Sequence, residues 1–232
     1  MHRLYYSPGS CSMAAHIVLE EIGAPYELQL ISSSGATEGK MTATPDWKAI
    51  NPKGRVPALL GVPGRIGGAE NLLTELHAIL IYLARTDASA GLLPTDPAGE
   101  ARCIEWMNWL ASNVHAMSYG QIWRSWRFTT NANEIPGVQA KGERNVRDQY
   151  DYIESLLADG REWAVPSGYT VVDPYLLVFY YWGHRIGLHM RTLYPVWTRL
   201  TDRIVARPAV QRVLQNEGIN LFETAQRNLT HR

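Results

Sequence analysis

The chain has 232 residues, enough for one large domain or two small ones, and its 22 basic and 22 acidic side chains leave no formal net charge. That balance removes the electrostatic reason to seek nucleic acid or an anionic membrane, and 46% hydrophobic with 19% charged residues is ordinary for a soluble globular protein. Two cysteines, Cys11 and Cys103, are too few for a secreted disulfide scaffold, and the longest apolar run, Leu176 to Trp182, falls well short of the roughly 18 residues of a spanning helix, so free thiols and a cytoplasmic location are expected.

Arg3-Leu4-Tyr5-Tyr6 reads as a short strand stopped by Ser7-Pro8-Gly9. From Cys11 the spacing becomes helical, with Met13, Ile17, Val18 and Ile22 on one face and Gly23 placed to end the helix. Tyr26, Leu28 and Leu30 alternate with polar residues as a second strand. Ile31 to Pro45 is rich in small residues and predicts a loop with a short irregular helix. The turn-dense Asn51-Pro52-Lys53-Gly54-Arg55-Val56-Pro57 leads into a third strand, Ala58-Leu59-Leu60. Asn71-Leu72-Leu73 suggests a fourth, and Thr74-Glu75 opens a helix carrying Ala78, Ile79, Ile81, Tyr82 and Leu83.

Residues 87–97 hold two prolines among small residues and form the expected linker between a first domain, 1–86, and a second, 98–232. Beyond it no segment reads convincingly as strand. Ala98 to about Tyr119 and about Pro136 to Leu157 are long helices by periodicity; Thr170 to Asp173 precedes a third, strongly apolar one; Pro195 and Pro208 open two more. An α/β unit followed by a helical bundle is the fold class these elements define.

Chemistry concentrates in the first domain. A cysteine at a helix start meets unsatisfied N–H groups and partial positive charge, so Cys11 is expected to have a thiol pKa below the usual value of about 8.5. It would serve as a nucleophile, a mixed-disulfide former or a hydrogen-bond donor to another thiolate; a capping residue without chemistry is the plainer reading. Position 14 is Ala14, so no Cys-x-x-Cys pair exists and any second thiol must come from a bound molecule. Val56-Pro57 could be cis, exposing the Val56 backbone to an extended peptide, although the residues alone favour trans. Glu75 reads as ordinary first-turn acid, or as the partner of an ammonium while nearby N–H groups hold a carboxylate. Thr170-Val171-Val172-Asp173 has the form of a capping box, with Asp in the Glu position. Eight Trp and twelve Tyr against three Phe suit core packing, or a lining for an aromatic ligand.

Several segments, in order, resemble the bacterial beta-class glutathione transferases. They are Leu4 to Ser12, Asn51 to Leu59, Leu73-Thr74-Glu75 with Ala78-Ile79, Glu105 to His115, Thr170 to Asp173, and Arg207 to Gln211 with Glu217-Gly218. The resemblance implies a glutathione transferase fold: an N-terminal thioredoxin-like domain and a C-terminal all-helical bundle. It implies glutathione as co-substrate, no metal, and a homodimer. By position, Cys11 and His115 correspond to the reactive centre, with Ser10 and Tyr6 ranked first among hydroxyls that could assist the thiol. Val56, Pro57, Glu75, Leu76, Arg55, Asn108, Asn113 and Lys40 form the expected glutathione-binding set, with Asn108 reaching the tripeptide of the neighbouring subunit. Met117, Tyr119, Trp123 and Trp126 are the expected wall for a second substrate, with Trp123 and Trp126 on one helical face.

The sequence departs from the family pattern at Leu76, where a small or hydroxyl residue is usual, at Asn113 in place of a frequent Glu, and at Ala116 in place of a frequent Lys. His77 is unusual beside them. The leading expectation is conjugation of glutathione to a hydrophobic, aromatic electrophile. The alternatives are thiol transfer or reduction through a Cys11 mixed disulfide, and a non-catalytic carrier of hydrophobic ligands.

Overall fold

The computed structural model describes residues 1–33, 41–64 and 66–221; Lys40 therefore lies outside the described residues. Strands β1 (His2–Tyr6), β2 (Tyr26–Leu30), β3 (Ala58–Leu60) and β4 (Leu72–Thr74) form one mixed sheet in the order β2-β1-β3-β4. β1 runs parallel to β2, with Leu4 opposite Leu28, and antiparallel to β3, with Leu4 opposite Leu59. β3 and β4 are antiparallel. Helices α1 (Ser12–Ile22), α2 (Pro45–Ile50) and α3 (Leu76–Thr86) complete this thioredoxin-like unit.

The period of two along β1 sends its side chains to two different cores. Leu4 is fully buried with α1 and α3, whereas Tyr5 joins Trp47, Ile31, Ala58 and Leu72 behind the sheet, its ring 4.9 Å from that of Trp47. α1 is buried continuously from Ser12 to Leu19 because α3, α7 and α10 pack around it. Gly23, at φ 61°, ends it in a left-handed cap.

The helical part comprises α4 (Pro97–Trp109), α5 (Gly120–Trp123), α6 (Ile135–Leu157), α7 (Val172–Arg185), α8 (Met190–Leu193), α9 (Pro195–Val205) and α10 (Pro208–Glu217). Prolines stand in the first turns of α4, α9 and α10, where their missing N–H costs nothing. The expected single helix to Tyr119 is interrupted: Leu110–Tyr119 winds as a wider π-helix. Here the Ser118 hydroxyl donates to the Asn113 carbonyl (2.7 Å) and the Gly120 N–H to the His115 carbonyl. α6 lies so close that a Cβ on Gly142 would sit 2.9 Å from the Ser118 carbonyl oxygen. π-Helical turns are rare and gather at functional sites, and this one carries His115.

At α7 the capping box is present. The Asp173 carboxylate accepts the Thr170 N–H (2.8 Å) and the Ala164 N–H (2.9 Å), while Thr170 Oγ1 accepts from Val172. The main apolar cluster runs without a break from Leu4 and α1 through α4, α6, α7 and α9. No helix among the described residues is long and apolar enough to cross a membrane.

Candidate functional site

Gly9 carries the loop between β1 and α1 at φ 64°, a conformation that disfavours any side chain, and a Cβ there would meet the Tyr181 ring at 2.7 Å. Both of its backbone groups are held by the helical part. Its N–H donates to Glu217 Oε2 (2.8 Å), and its carbonyl accepts from Trp182 Nε1 (2.8 Å). The other oxygen of Glu217 lies 2.8 Å from Nδ1 of buried His16 on α1, whose Nε2 is 3.0 Å from the Tyr26 hydroxyl. The loop, α1 and α10 are thus tied through one buried carboxylate.

Cys11 takes the N-cap position of α1, 7% exposed, its thiol 3.5 Å from the Val56 carbonyl. The sequence expectation of a lowered thiol pKa is overturned. Burial pushes it up to about 12, against the downward pull of Arg124, its own N–H and Arg55. Helix-end charge is a fraction of an electron, too little to offset desolvation of a thiolate. At neutral pH Cys11 is a protonated donor.

The serines beside it form a closed set. The Ser12 hydroxyl donates to the Ser7 carbonyl (3.1 Å) and accepts the Ser7 N–H (3.1 Å). Its single proton being used, the 2.8 Å contact with Ser10 must be donated by Ser10, whose oxygen in turn accepts the Ser12 N–H. Ser10 therefore has no proton left for a sulfur. Tyr6 points along the α1 side of the sheet, its ring 6.0 Å from that of His16. Neither hydroxyl suits the assisting role expected of it.

Asn51 builds the turn before Val56. Its amide donates to the Arg55 carbonyl (2.8 Å) and its side-chain oxygen accepts the Lys53 N–H (3.2 Å). The Val56-Pro57 bond is cis, against the trans form that the residues alone favoured and in line with what the family resemblance implied. Glu75 occupies the N-cap of α3, where its carbonyl accepts the Ile79 N–H (3.1 Å), but its side chain does no capping. It has φ 71° and ψ 118°, and its carboxylate pairs instead with Lys53 Nζ (2.5 Å), which also donates to Thr74 Oγ1 (2.9 Å). A non-glycine residue at such φ costs on the order of 1–3 kcal/mol and tends to mark ligand sites. Leu76 is buried behind it.

From the helical side, Asn108 is exposed and its Oδ1 lies 3.2 Å from His77 Nδ1. Burial lowers the His77 pKa. Asn113 is exposed and accepts the Ser112 hydroxyl (3.1 Å). His115 packs edge-on to Trp182, with centroids 4.9 Å apart. Burial first, then Arg124, Arg55 and Arg127, push its pKa down to about 3. It is a neutral imidazole near pH 7, able to donate or accept but not to shuttle protons through an imidazolium.

The expected second-substrate wall divides. Met117 and Trp126 are about half exposed, and Trp123 is half-buried. Tyr119 is fully buried, its hydroxyl 2.6 Å from that of Tyr150 and its ring 4.6 Å from Trp123, so it supports the wall from behind. Trp123 and Trp126 do not share a helical face, because α5 ends at Trp123 and Trp126 lies in the following 3-10 turn, Ser125–Arg127.

His16, Trp182 and Glu217 have no site role in the sequence reading. A lone histidine within the apolar run Met13 to Leu19 was the available signal, since a buried imidazole needs partners.

A thioredoxin-like sheet joined to a helical bundle, with a cysteine at the start of α1 facing a cis-proline turn, defines a thiol-handling α/β protein. The glutathione S-transferase N-terminal domain model matches residues 9–86. Glutathione S-transferase GstA of Escherichia coli O157:H7 is 31% identical over 94% of this chain and 99% of its own length. A solved glutathione transferase homologue from Sulfitobacter, with bound glutathione, is 31% identical and superposes with a TM-score of 0.82, covering 95% of this chain and 99% of that one. A beta-class glutathione S-transferase from Sphingomonas chungbukensis is 30% identical with a TM-score of 0.75, covering 94% and 100%. The chain belongs to the glutathione S-transferase family.

Proposed function

We propose that this protein is a glutathione transferase that conjugates the glutathione thiolate to a hydrophobic, aromatic electrophile. The observation that carries the reading is the 3.5 Å contact between Cys11 Sγ and the Val56 carbonyl. A tripeptide pairing with the Val56 backbone as a short added strand brings its own sulfur to the start of α1. Glutathione bound to the Sulfitobacter relative supports the same co-substrate here.

In this reading residues 1–86 bind glutathione, 87–97 link, and 98–232 supply the second-substrate side. Cys11 keeps its proton and turns its S–H from the Val56 carbonyl to the glutathione sulfur as the tripeptide takes up that carbonyl. Arg124 and Arg55, which both act on Cys11, supply positive potential that favours the bound thiolate. The thiolate attacks the electrophilic ring carbon, the carbon–sulfur bond forms, and the leaving group departs with its electron pair. Glu75 exchanges Lys53 for the α-amino group of the γ-glutamyl end. The reading includes a homodimer in which Asn108, exposed on α4, reaches the neighbouring tripeptide; light scattering at micromolar concentration tests that assembly.

Cys11→Ala separates conjugation from mixed-disulfide chemistry. Conjugation should fall but persist, because the donor is lost and the attacking sulfur belongs to glutathione. Loss of all conjugation with retained affinity for immobilised glutathione would instead make Cys11 the nucleophile. A wild-type chain that flows through immobilised glutathione and conjugates nothing would be a carrier of other ligands.

A further inference from the structure

Arginines elsewhere in the described residues are mostly satisfied. Seven pair with carboxylates, Arg207 and Arg212 among them, and Arg185 lies over the rings of Trp123 and Tyr181. Arg199 and Arg203 donate to carbonyls, and Arg144 and Arg147 are exposed on α6. Arg55, Arg124 and Arg127 differ in where they stand. Trp123, next to Arg124, packs its ring 5.0 Å from that of Trp182, against which His115 also packs at 4.9 Å. Arg55 adjoins Val56, whose carbonyl meets Cys11. The three cations act on His115 in common, and no ion pair holds any of them among the described residues. Arg124 is half-buried at the end of α5, and burial lowers its pKa, as does Arg55. A half-buried guanidinium facing like charges is unfavourable until an anion completes it.

The cations are interleaved with aromatic side chains. The order is Trp123-Arg124-Ser125-Trp126-Arg127-Phe128, with Trp126 54% and Phe128 39% exposed. Flat apolar faces beside guanidinium groups suit a ring that bears a negative charge.

We propose that the second substrate is an aromatic electrophile carrying a carboxylate, held by Arg124 and Arg127 with its ring against Trp123 and Trp126. This rests on the conjugation reading above and names its substrate class. The step needs no further reagent. For a chloroarene, the glutathione thiolate forms the carbon–sulfur bond at the chlorine-bearing carbon, chloride leaves with the electron pair of the broken bond, and the thiol proton passes to solvent. Glutathione has two carboxylates of its own, so the test must tell the two sources of negative charge apart.

The probes are 4-chloro-3,5-dinitrobenzoate and 4-chloro-3,5-dinitrobenzamide, which share ring and leaving group and differ in charge. The wild-type chain should show kcat/KM about tenfold or more higher for the benzoate, as expected for a charge-assisted pair. Arg124→Gln should lower that ratio at least about fivefold, and Arg124→Lys should lower it by a smaller factor, because the charge survives while the planar fork does not. Arg127→Gln, at an exposed position, should lower it by a smaller factor and covers the case in which Arg124→Gln does not fold. Equal treatment of the two reagents by the wild type, with turnover of both, would overturn this inference alone. So would an Arg124→Gln variant that raises KM for glutathione and leaves the ratio intact, since the cations would then serve the tripeptide. No conjugation of either reagent would bring down the conjugation reading and this inference with it.

Discussion

Glu217→Ala should loosen the loop that carries Cys11 and destabilise the whole chain. The Glu217 side chain is fully buried, with one oxygen 2.8 Å from His16 Nδ1 and the other accepting the Gly9 N–H at 2.8 Å. Truncation leaves two buried polar groups without partners, at about 1–3 kcal/mol each. Breaking a buried pair by removing one member costs about 3–5 kcal/mol, which falls within that sum. At about 2–4 °C per kcal/mol for a chain of this size, Tm should drop by roughly 6–20 °C. Glu217→Gln should cost much less. Its carboxamide oxygen can still accept from Gly9, and its NH2 can donate to His16 Nδ1 once the ring proton moves to Nε2. Urea unfolding gives the free energies, and kcat/KM for conjugation reports the loop, since displacing a reacting group by about 1 Å can cost a hundredfold. Glu217→Ala within about 1 kcal/mol of wild type, or Glu217→Gln as damaging as Glu217→Ala, would refute the buried carboxylate as the tie.

Two further outcomes concern pH. His115, held down to about 3 in the folded chain against 6.5 for the free group, should stay neutral through the physiological range. Its ring resonances should not titrate between those values, and conjugation should show no inflection there that His115→Gln removes. The unfolded chain binds the extra proton in that window, so this group costs stability as pH falls from 6.5 towards 3. Asp173 has the opposite sign. Burial raises its folded pKa to about 6 from 3.8, so the folded chain binds the extra proton, and the stability of wild type relative to Asp173→Asn should decline as pH rises from 3.8 through 6 and then level off. A difference that stays flat across that window would contradict the desolvated carboxyl.

Local patterns were readable in the sequence where local physics decides them. Met13, Ile17, Val18 and Ile22 announced α1, Gly23 its end, and Pro195 and Pro208 the starts of α9 and α10. Features set by distant contacts were not. The His16–Glu217 pair spans 201 positions, and nothing near Gly9 shows that Trp182 and Glu217 hold its backbone. The π-helical winding of Leu110–Tyr119, which α6 passes closely at Gly142, departs from the plain helical spacing of its apolar residues. Cys11 was placed correctly at the start of α1 and misjudged chemically, because its burial comes from elements that its neighbours in sequence do not reveal. The ends of the site were nameable from motifs, while the pairing of Glu75 with Lys53 needed coordinates.

A crystal of the wild-type chain grown with glutathione tests the central claim most directly. The tripeptide should lie along the Val56 backbone, with its sulfur within hydrogen-bonding reach of Cys11 Sγ and its α-amino group on Glu75 in place of Lys53. Glutathione bound elsewhere, with the Lys53–Glu75 pair intact and the Val56 edge bare, would contradict it.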